Sequence, residues 1–232
     1  MRQSFLPWIW KKKWKILRPA RKLVIDSFHC IWYDSKNTWQ KNSYLGYPIK
    51  QLPSDMLLYQ ELIFQTRPQF ILQTGILEGG SLVYFANLLD IIGADPGVPV
   101  IGIDIEITEN AKTINHPRIK MIEGSSTDIE IVEKVKGLLR ATKGMVSLDS
   151  DHSYAHVLKE LEIYSQFVDV GNYLVVEDTN INGRPVLPGF GPGPYEAVEE
   201  FLKKEADFTR DNKLWERNLF SFHQYGWLRR EA

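Results

Sequence analysis

The chain has 232 residues, 44% of them hydrophobic and 25% charged, with a formal net charge of −1. This is an ordinary globular composition, long enough for one sizeable core. A single cysteine, Cys30, excludes an intrachain disulfide and a cysteine zinc cluster, and no run of about eighteen apolar residues exists to span a membrane. The lone thiol fits a reducing compartment, so a cytoplasmic location is expected, with no nucleic-acid partner.

The charge is unevenly placed. Between Arg2 and Lys22 there are eight Lys or Arg and no acid, interleaved with Trp8, Trp10 and Trp14. The basic residues follow the apolar patch and no small-residue cleavage site appears, which argues against a signal peptide. Trp10, Trp14 and Leu17 share one face of a helix ringed by Lys11, Lys12, Lys13 and Lys15, a pattern for an anionic membrane surface. Packing on a partner subunit or disorder are the alternatives for this arm. Residues 1–43 are set apart as a basic aromatic arm and 44–232 as the folded domain. Peripheral membrane contact is expected from residues 1–22, and a homo-oligomer is expected.

Residues 23 to 43 are aromatic-rich and take no clear assignment. Tyr44 to Pro53 reads as an irregular loop punctuated by Gly and Pro. Ser54 reads as the N-cap of a helix to about Thr66. Phe70 to Gln73 is the first strand, and it runs into Thr74-Gly75-Ile-Leu-Glu78-Gly79-Gly80-Ser81 and a helix from Leu82 to about Ile92. Strand, glycine turn and helix form a phosphate- or nucleotide-cradling arrangement, in which glycines let a ligand approach the backbone. The spacing is neither Gly-x-Gly-x-x-Gly nor a P-loop.

Val98 to Ile103 is the second strand, ending in Asp104. An acid there suits ribose hydroxyls, because a carboxylate accepts two such bonds at once; a turn cap is the alternative. Ile119 to Ile122 is the third strand, followed by Ser125 and Ser126. A helix follows from Asp128 to Ala141, with Ile129, Val132, Val135 and Leu138 on one face. Met145 to Leu148 and Tyr173 to Val176 are further strands, separated by a helix from Ala155 to Phe167. Tyr195 to Lys204 is a helix, and Phe208 to Asp211 and Leu219 to His223 read as closing strands. Successive βα units mean a mostly parallel sheet with helices on both faces, closed by a hairpin-like pair at one edge.

Two acidic clusters fall at strand ends, where open α/β sheets hold their ligands. The first is Asp149-Ser-Asp151-His152, and the second is Glu177-Asp178. Two carboxylates and an imidazole suggest chemistry; a solvated Asp-rich turn is the bland alternative. The stretch from Gly183 to Pro194 is too long and too rich in Gly and Pro for a simple connection. It is expected to form one wall of an acceptor cleft, with Tyr44 to Pro53 as the other. Tyr44, Tyr47 and Phe190 would supply apolar faces.

From about Tyr44 to Arg229 the order resembles a class I S-adenosylmethionine-dependent methyltransferase. Within that group it resembles the family of cephalosporin hydroxylase and of sugar and macrolide O-methyltransferases. Gln73-Thr-Gly75-Ile-Leu-Glu-Gly79-Gly80-Ser81 resembles the first cofactor loop, with Gln73 in place of the usual acid. Ile103-Asp104 resembles the ribose-binding strand end. Asp149-Ser-Asp151-His152-Ser153 and Glu177-Asp178 match the family's two acidic segments.

The resemblance implies a Rossmann-like methyltransferase fold, with a mostly parallel seven-stranded sheet and an antiparallel edge strand. It implies S-adenosylmethionine on Gln73, Gly75, Gly79, Ser81, Asp104, Ser125, Ser126 and Asp149. It also implies magnesium held by Asp149, Glu177 and Asp178, with His152 as the general base. Three carboxylates supply hard oxygen ligands, and a dication relieves their mutual repulsion. The implied reaction is metal-dependent methyl transfer to a hydroxyl of a sugar or glycosylated metabolite. The acceptor would be a small molecule or glycan with neighbouring hydroxyls. Rival readings are a non-catalytic binding module on the same fold and an oxygenase-type activity. His223 is a second candidate base, although its place in an expected strand favours a structural role.

Overall fold

The structure, a computed structural model, describes residues 18–139 and 144–232. The proposed helical face of Trp10, Trp14 and Leu17 lies outside the described residues. So do the last residues of the helix expected to reach Ala141.

A seven-stranded sheet carries the molecule. Its strands, after a two-stranded hairpin of β1 (Ser43–Tyr44) and β2 (Tyr47–Pro48), are β3 (Ile71–Thr74), β4 (Val100–Asp104), β5 (Ile119–Glu123), β6 (Met145–Leu148), β7 (Tyr173–Val176), β8 (Phe208–Arg210) and β9 (Trp227–Arg230). The order is β5-β4-β3-β6-β7-β9-β8. β3 through β7 are mutually parallel, and β9 runs antiparallel to both β7 and β8. The expected mostly parallel sheet with an antiparallel edge pair is therefore present. β3, β6 and β7 are buried at every position, as parallel strands covered on both faces must be.

The helices are α1 (Arg21–Asp34), α2 (Pro53–Thr66), α3 (Gly80–Ile91), α4 (Glu109–Lys112), α5 (Ile129–Leu138), α6 (Tyr154–Tyr164), α7 (Pro194–Lys204) and α8 (Asn212–Glu216). Two buried clusters flank the sheet. One joins Phe70, Leu72, Val146 and Leu148 to Val157 and Leu161 of α6 and Val198 and Phe201 of α7. The other joins Ile71, Val100, Met145 and Val175 to Leu58 and Leu62 of α2 and Leu82 and Phe85 of α3. Alternate residues of each strand supply alternate clusters, as the period-two geometry of a strand requires.

Four elements differ from expectation. Tyr44 to Pro53, read as an irregular loop, carries most of the β1–β2 hairpin. The helix read from Ser54 starts at Pro53, with Leu52 as N-cap and no side-chain cap bond; proline's fixed φ and missing N–H suit a first helical position. Leu219 to His223 is not a strand. Two of its N–H groups go to side chains, Phe222 N to Asp55 Oδ2 at 2.8 Å and His223 N to Ser221 Oγ at 2.9 Å, and Leu219 N closes a turn onto Glu216 O at 3.1 Å. The partner of β8 is Trp227–Arg230. The unassigned aromatic stretch becomes α1 and a 3-10 turn at Trp39–Lys41. His29 of α1 is buried, stacks on Phe222 with a 5.6 Å centroid separation, and meets Asn180 Nδ2 at 2.9 Å. That packing is long-range, so no local periodicity announces it.

Candidate active site

The chain leaves β3, runs outward to β4 and β5, and returns to β6 beside β3. That reversal is a topological switch point, where the loops diverge and leave a crevice. Hydrogen bonds carry the ladder past the strand ends: Gly75 N to Ile103 O at 2.8 Å, Asp149 N to Thr74 O at 2.9 Å, and Glu177 N to Leu148 O at 2.9 Å. Gly75, Asp149 and Glu177 are thereby set side by side on one rim of the sheet. A cavity of about 680 Å³ opens there, within the range of roughly 300–1,000 Å³ usual for small-molecule sites.

Gln73, Gly75, Ser81, Asp104, Ser125, Ser126 and Asp149 line this cavity. Gly79 is not among the lining residues; with φ +77° it is the N-cap of α3. Gly75 and Gly80 line the cavity, and they also make room for the protein's own chain. A Cβ on Gly75 would stand 1.9 Å from Asp149 O, and one on Gly80 would stand 2.3 Å from Pro48 O. Asp104 serves as a turn cap, its Oδ2 accepting from Ile76 N at 2.8 Å and Leu77 N at 3.0 Å. Among the described residues its Oδ1 meets only Glu106 N, at 3.3 Å, so acceptor capacity remains toward the cavity.

At the other end of the cavity, ligand-type atoms of Asp149, His152 and Asp178 lie within 4.8 Å of one another. His152 Nε2 is 3.1 Å from Asp178 Oδ2. Burial opposes charge on the His152 ring, but the bond to Asp178 and that residue's charge outweigh it and raise its pKa. Asp178 is also penalised by burial, yet the bond and charge of His152 hold its pKa down. Asp149 is pushed well above the usual carboxylate range, by burial and then by the charges of Glu177 and Asp178. Asp151 takes the bland role instead: its Oδ1 accepts Ser153 N at 2.6 Å, closing a local turn before α6.

Glu177 is turned into the protein and is 2% exposed. Its Oε1 accepts from Tyr59 at 2.7 Å and from Ser147 Oγ at 2.6 Å, and its Oε2 accepts from Gln51 Nε2. Sequence reasoning missed these three partners, although Ser147 was a signal: a hydroxyl inside an otherwise apolar buried strand needs a partner. His223 is buried rather than facing the cavity.

Of the two expected cleft walls, the Tyr44 to Pro53 stretch reaches the cavity and the Gly183 to Pro194 loop does not line it. Pro48 to Gln51 line the cavity, together with Tyr33 and Trp39 from the stretch that had no assignment. Tyr44 instead packs edge-on against Tyr84 at 5.1 Å, and Phe190 and the loop from Gly183 to Pro194 are not lining residues. That loop is pinned to α7. Glu196 accepts from Arg184 at 2.9 Å and from Gly193 N at 2.8 Å, and Arg184 lies 3.5 Å over the Tyr195 ring. Arg184 is thus paired away from the acidic clusters.

Strand order and crevice together define the class, a Rossmann-like methyltransferase fold with its ligand space at the switch point. Comparison with known proteins narrows this. The family described as Rhamnosyl O-methyltransferase/CmcI matches residues 36–231, and the chain belongs to that family. It is 40% identical over 195 residues to a rhamnosyl O-methyltransferase of Mycobacterium bovis (strain BCG), covering 82% of this chain and 76% of the relative. It is 34% identical over 223 residues to the rhamnosyl O-methyltransferase of Mycobacterium leprae, covering 93% and 94%. Among solved structures, CmcI with magnesium and S-adenosylmethionine superposes with a TM-score of 0.65 at 22% identity, over 87% of this chain and 84% of that one. An O-methyltransferase from Bacillus cereus in complex with SAH gives 0.52 at 14% identity, over 82% and 80%. These two likenesses speak for the fold.

Proposed function

We propose that this chain is an S-adenosylmethionine-dependent O-methyltransferase that methylates a sugar hydroxyl, with magnesium at the acidic end of its cavity. The observation that carries this reading is the single cavity shared by Gly75, Ser81, Asp104 and Ser125 with the Asp149, His152 and Asp178 cluster. The curated relatives, named rhamnosyl O-methyltransferases, support a deoxysugar acceptor.

The residues fit both groups. Asp104 has a free acceptor lobe toward the cavity, suited to ribose hydroxyls. Asp149 is destabilised as an anion by burial and then by the charges of Glu177 and Asp178, the condition a dication relieves. Asp149 and Asp178 would hold the metal directly; the expected third carboxylate, Glu177, stands outside this cluster, its oxygens taken by Tyr59, Ser147 and Gln51. Their donors are hard oxygens, the set magnesium prefers. Bound magnesium would make the acceptor hydroxyl more acidic, and S-adenosylmethionine would supply the methyl group.

The chain's own residues do the rest. Asp178 orients the His152 ring through its bond to Nε2. His152 takes the proton from the hydroxyl as it attacks, a task imidazole suits near neutral pH. Tyr33 and Trp39 offer aromatic faces to the acceptor. An iron oxygenase site of the usual kind takes two His and one carboxylate, whereas this cluster offers one His and two Asp. A purely binding module has no need of the His152–Asp178 pair. The test is methyl transfer to a rhamnoside with excess chelator, then with magnesium restored. Full activity in chelator would sink the metal dependence, and no transfer to any glycoside would sink the sugar acceptor.

We also propose that residues 1–22 meet an anionic membrane surface. No helix among the described residues is long and apolar enough to cross a membrane. Support comes from α1, which continues the basic arm and exposes Leu23, Val24 and Ile31 at 69%, 58% and 65%. The full chain should co-sediment with anionic vesicles, less so in high salt. Equal binding by a chain lacking residues 1–22 would refute this.

A further inference from the structure

Behind Glu177 and Asp178 lies a directed chain of hydrogen bonds. Asp178 N–H donates to His223 Nδ1 at 3.2 Å. That bond requires a bare Nδ1, so the ring proton sits on Nε2. His223 Nε2 faces Gln51 Oε1 at 3.1 Å, and the Gln51 amide donates from its own Nε2 to Glu177 Oε2. His223 Nε2 also lies 3.4 Å from Glu177 Oε2, so its proton faces acceptors on both Gln51 and Glu177, and reversing the Gln51 amide would set donor against donor. His223 and Gln51 are 1% and 6% exposed, so water does not substitute freely for a lost bond.

Asp178 sits at φ +52°, a left-handed conformation that a non-glycine residue keeps only when its surroundings hold it there. The His223 acceptor is the group that meets its N–H. We propose that Gln51 and His223 are positioning residues that fix the two acidic neighbours together, His223 through the backbone of Asp178 and Gln51 through the carboxylate of Glu177. Neither touches the cavity chemistry as an acid or base. Asp55, fully buried, fixes the far side of the turn by accepting Phe222 N.

This inference rests on the proposed metal site and deepens it. Two measurements on the full chain test it. Long-range nitrogen–proton NMR should show the His223 proton on Nε2 with or without metal; a proton on Nδ1 would overturn the relay. Calorimetry with manganese chloride should show Gln51→Met, which keeps size and loses both bonds, weakened about 10–100-fold, the scale for lost outer-shell partners of a metal site. His223→Asn keeps an acceptor near the Asp178 N–H but loses the reach to Gln51, and should show the same loss if Gln51→Met does not fold. SAH affinity should stay within about twofold in His223→Asn, a residue outside the cavity lining, against the loss set by those metal-site partners. Manganese binding unchanged in the variants would overturn the positioning role. A parallel fall in SAH affinity in His223→Asn would do so too, since it would mark general structural damage. A wild-type chain that binds no manganese would instead remove the metal reading, leaving the NMR result to decide the relay.

Discussion

Tyr59, on helix α2, donates its hydroxyl to Glu177 Oε1 at 2.7 Å, from a ring that is 2% exposed. A helix on one face of the sheet thus holds a carboxylate at a strand end in the parallel half. Burial and then the charge of Glu177 push the Tyr59 phenol well above its ordinary pKa, so it is a permanent donor. Tyr59→Phe should cost about 1.5–3 kcal/mol, the range for a hydrogen bond to a charged group, read by urea unfolding. Ser147 still serves the same oxygen, so the variant should fold. An unchanged unfolding midpoint would show that the bond contributes nothing.

Asp104 has two duties, which two variants separate. Asp104→Asn keeps an oxygen for Ile76 N and Leu77 N and loses charge and acceptor capacity toward ribose hydroxyls. Asp104→Ala loses both. SAH affinity should fall by about 1–3 kcal/mol in either variant, with a lower melting temperature only in Asp104→Ala. Wild-type affinity in both would remove Asp104 from the cofactor site.

His152→Ala should lower kcat by about 10²–10⁴-fold, the usual worth of a positioned acid–base group. SAH affinity should stay near wild type. A normal kcat at saturating acceptor would dismiss His152 as the base.

Stability should fall with acid through His29. Burial lowers its folded pKa from 6.5 to about 4. Above 6.5 the ring is neutral in both states and the full stability is present. As pH falls from 6.5 toward 4, the unfolded chain binds the proton and the folded one does not, so stability is lost across that window. The loss should approach about 3 kcal/mol near pH 4. Urea unfolding of wild type and His29→Gln at pH 7 and pH 5 should show a steeper decline in wild type; parallel declines would rule this out.

Gly75→Ala places a methyl where Asp149 O stands, at φ +72°. Strain of about 1–3 kcal/mol is expected from the backbone conformation alone, and the turn carrying Asp149 must also shift. Both melting temperature and manganese affinity should drop. A variant with wild-type values for both would show that the turn has slack.

Much of this architecture is written locally. Val100 to Asp104 and Tyr173 to Val176 are short apolar runs bounded by turn residues; in α5 the spacing of Val132 and Val135 marks a buried face, but Ile129 and Leu138, read on the same face, are 77% and 38% exposed, and Ile131 is buried instead. Such signals depend on a few neighbouring residues, so the parallel sheet and the acidic strand ends were readable before any coordinates. The glycines near Gly75 were also visible, but their purpose was not. Space claimed by Asp149 O or Pro48 O belongs to segments distant in sequence.

Only the tertiary structure decided which polar groups meet. Gln51 lies 126 residues from Glu177 and His223 lies 172 from Gln51, distances at which no spacing rule operates. Tyr33 and Trp39 became cavity walls because α1 docks through His29 onto Phe222 and Asn180. The loop from Gly183 to Pro194 was drawn to Glu196 instead of the cavity because a carboxylate there collects Arg184 and Gly193 N. By itself, the sequence determined the periodic elements and the acids at their ends, since backbone geometry translates local pattern into strand and helix. Folding determined the partners of those acids, since burial leaves each polar group only the donors that other segments bring to it.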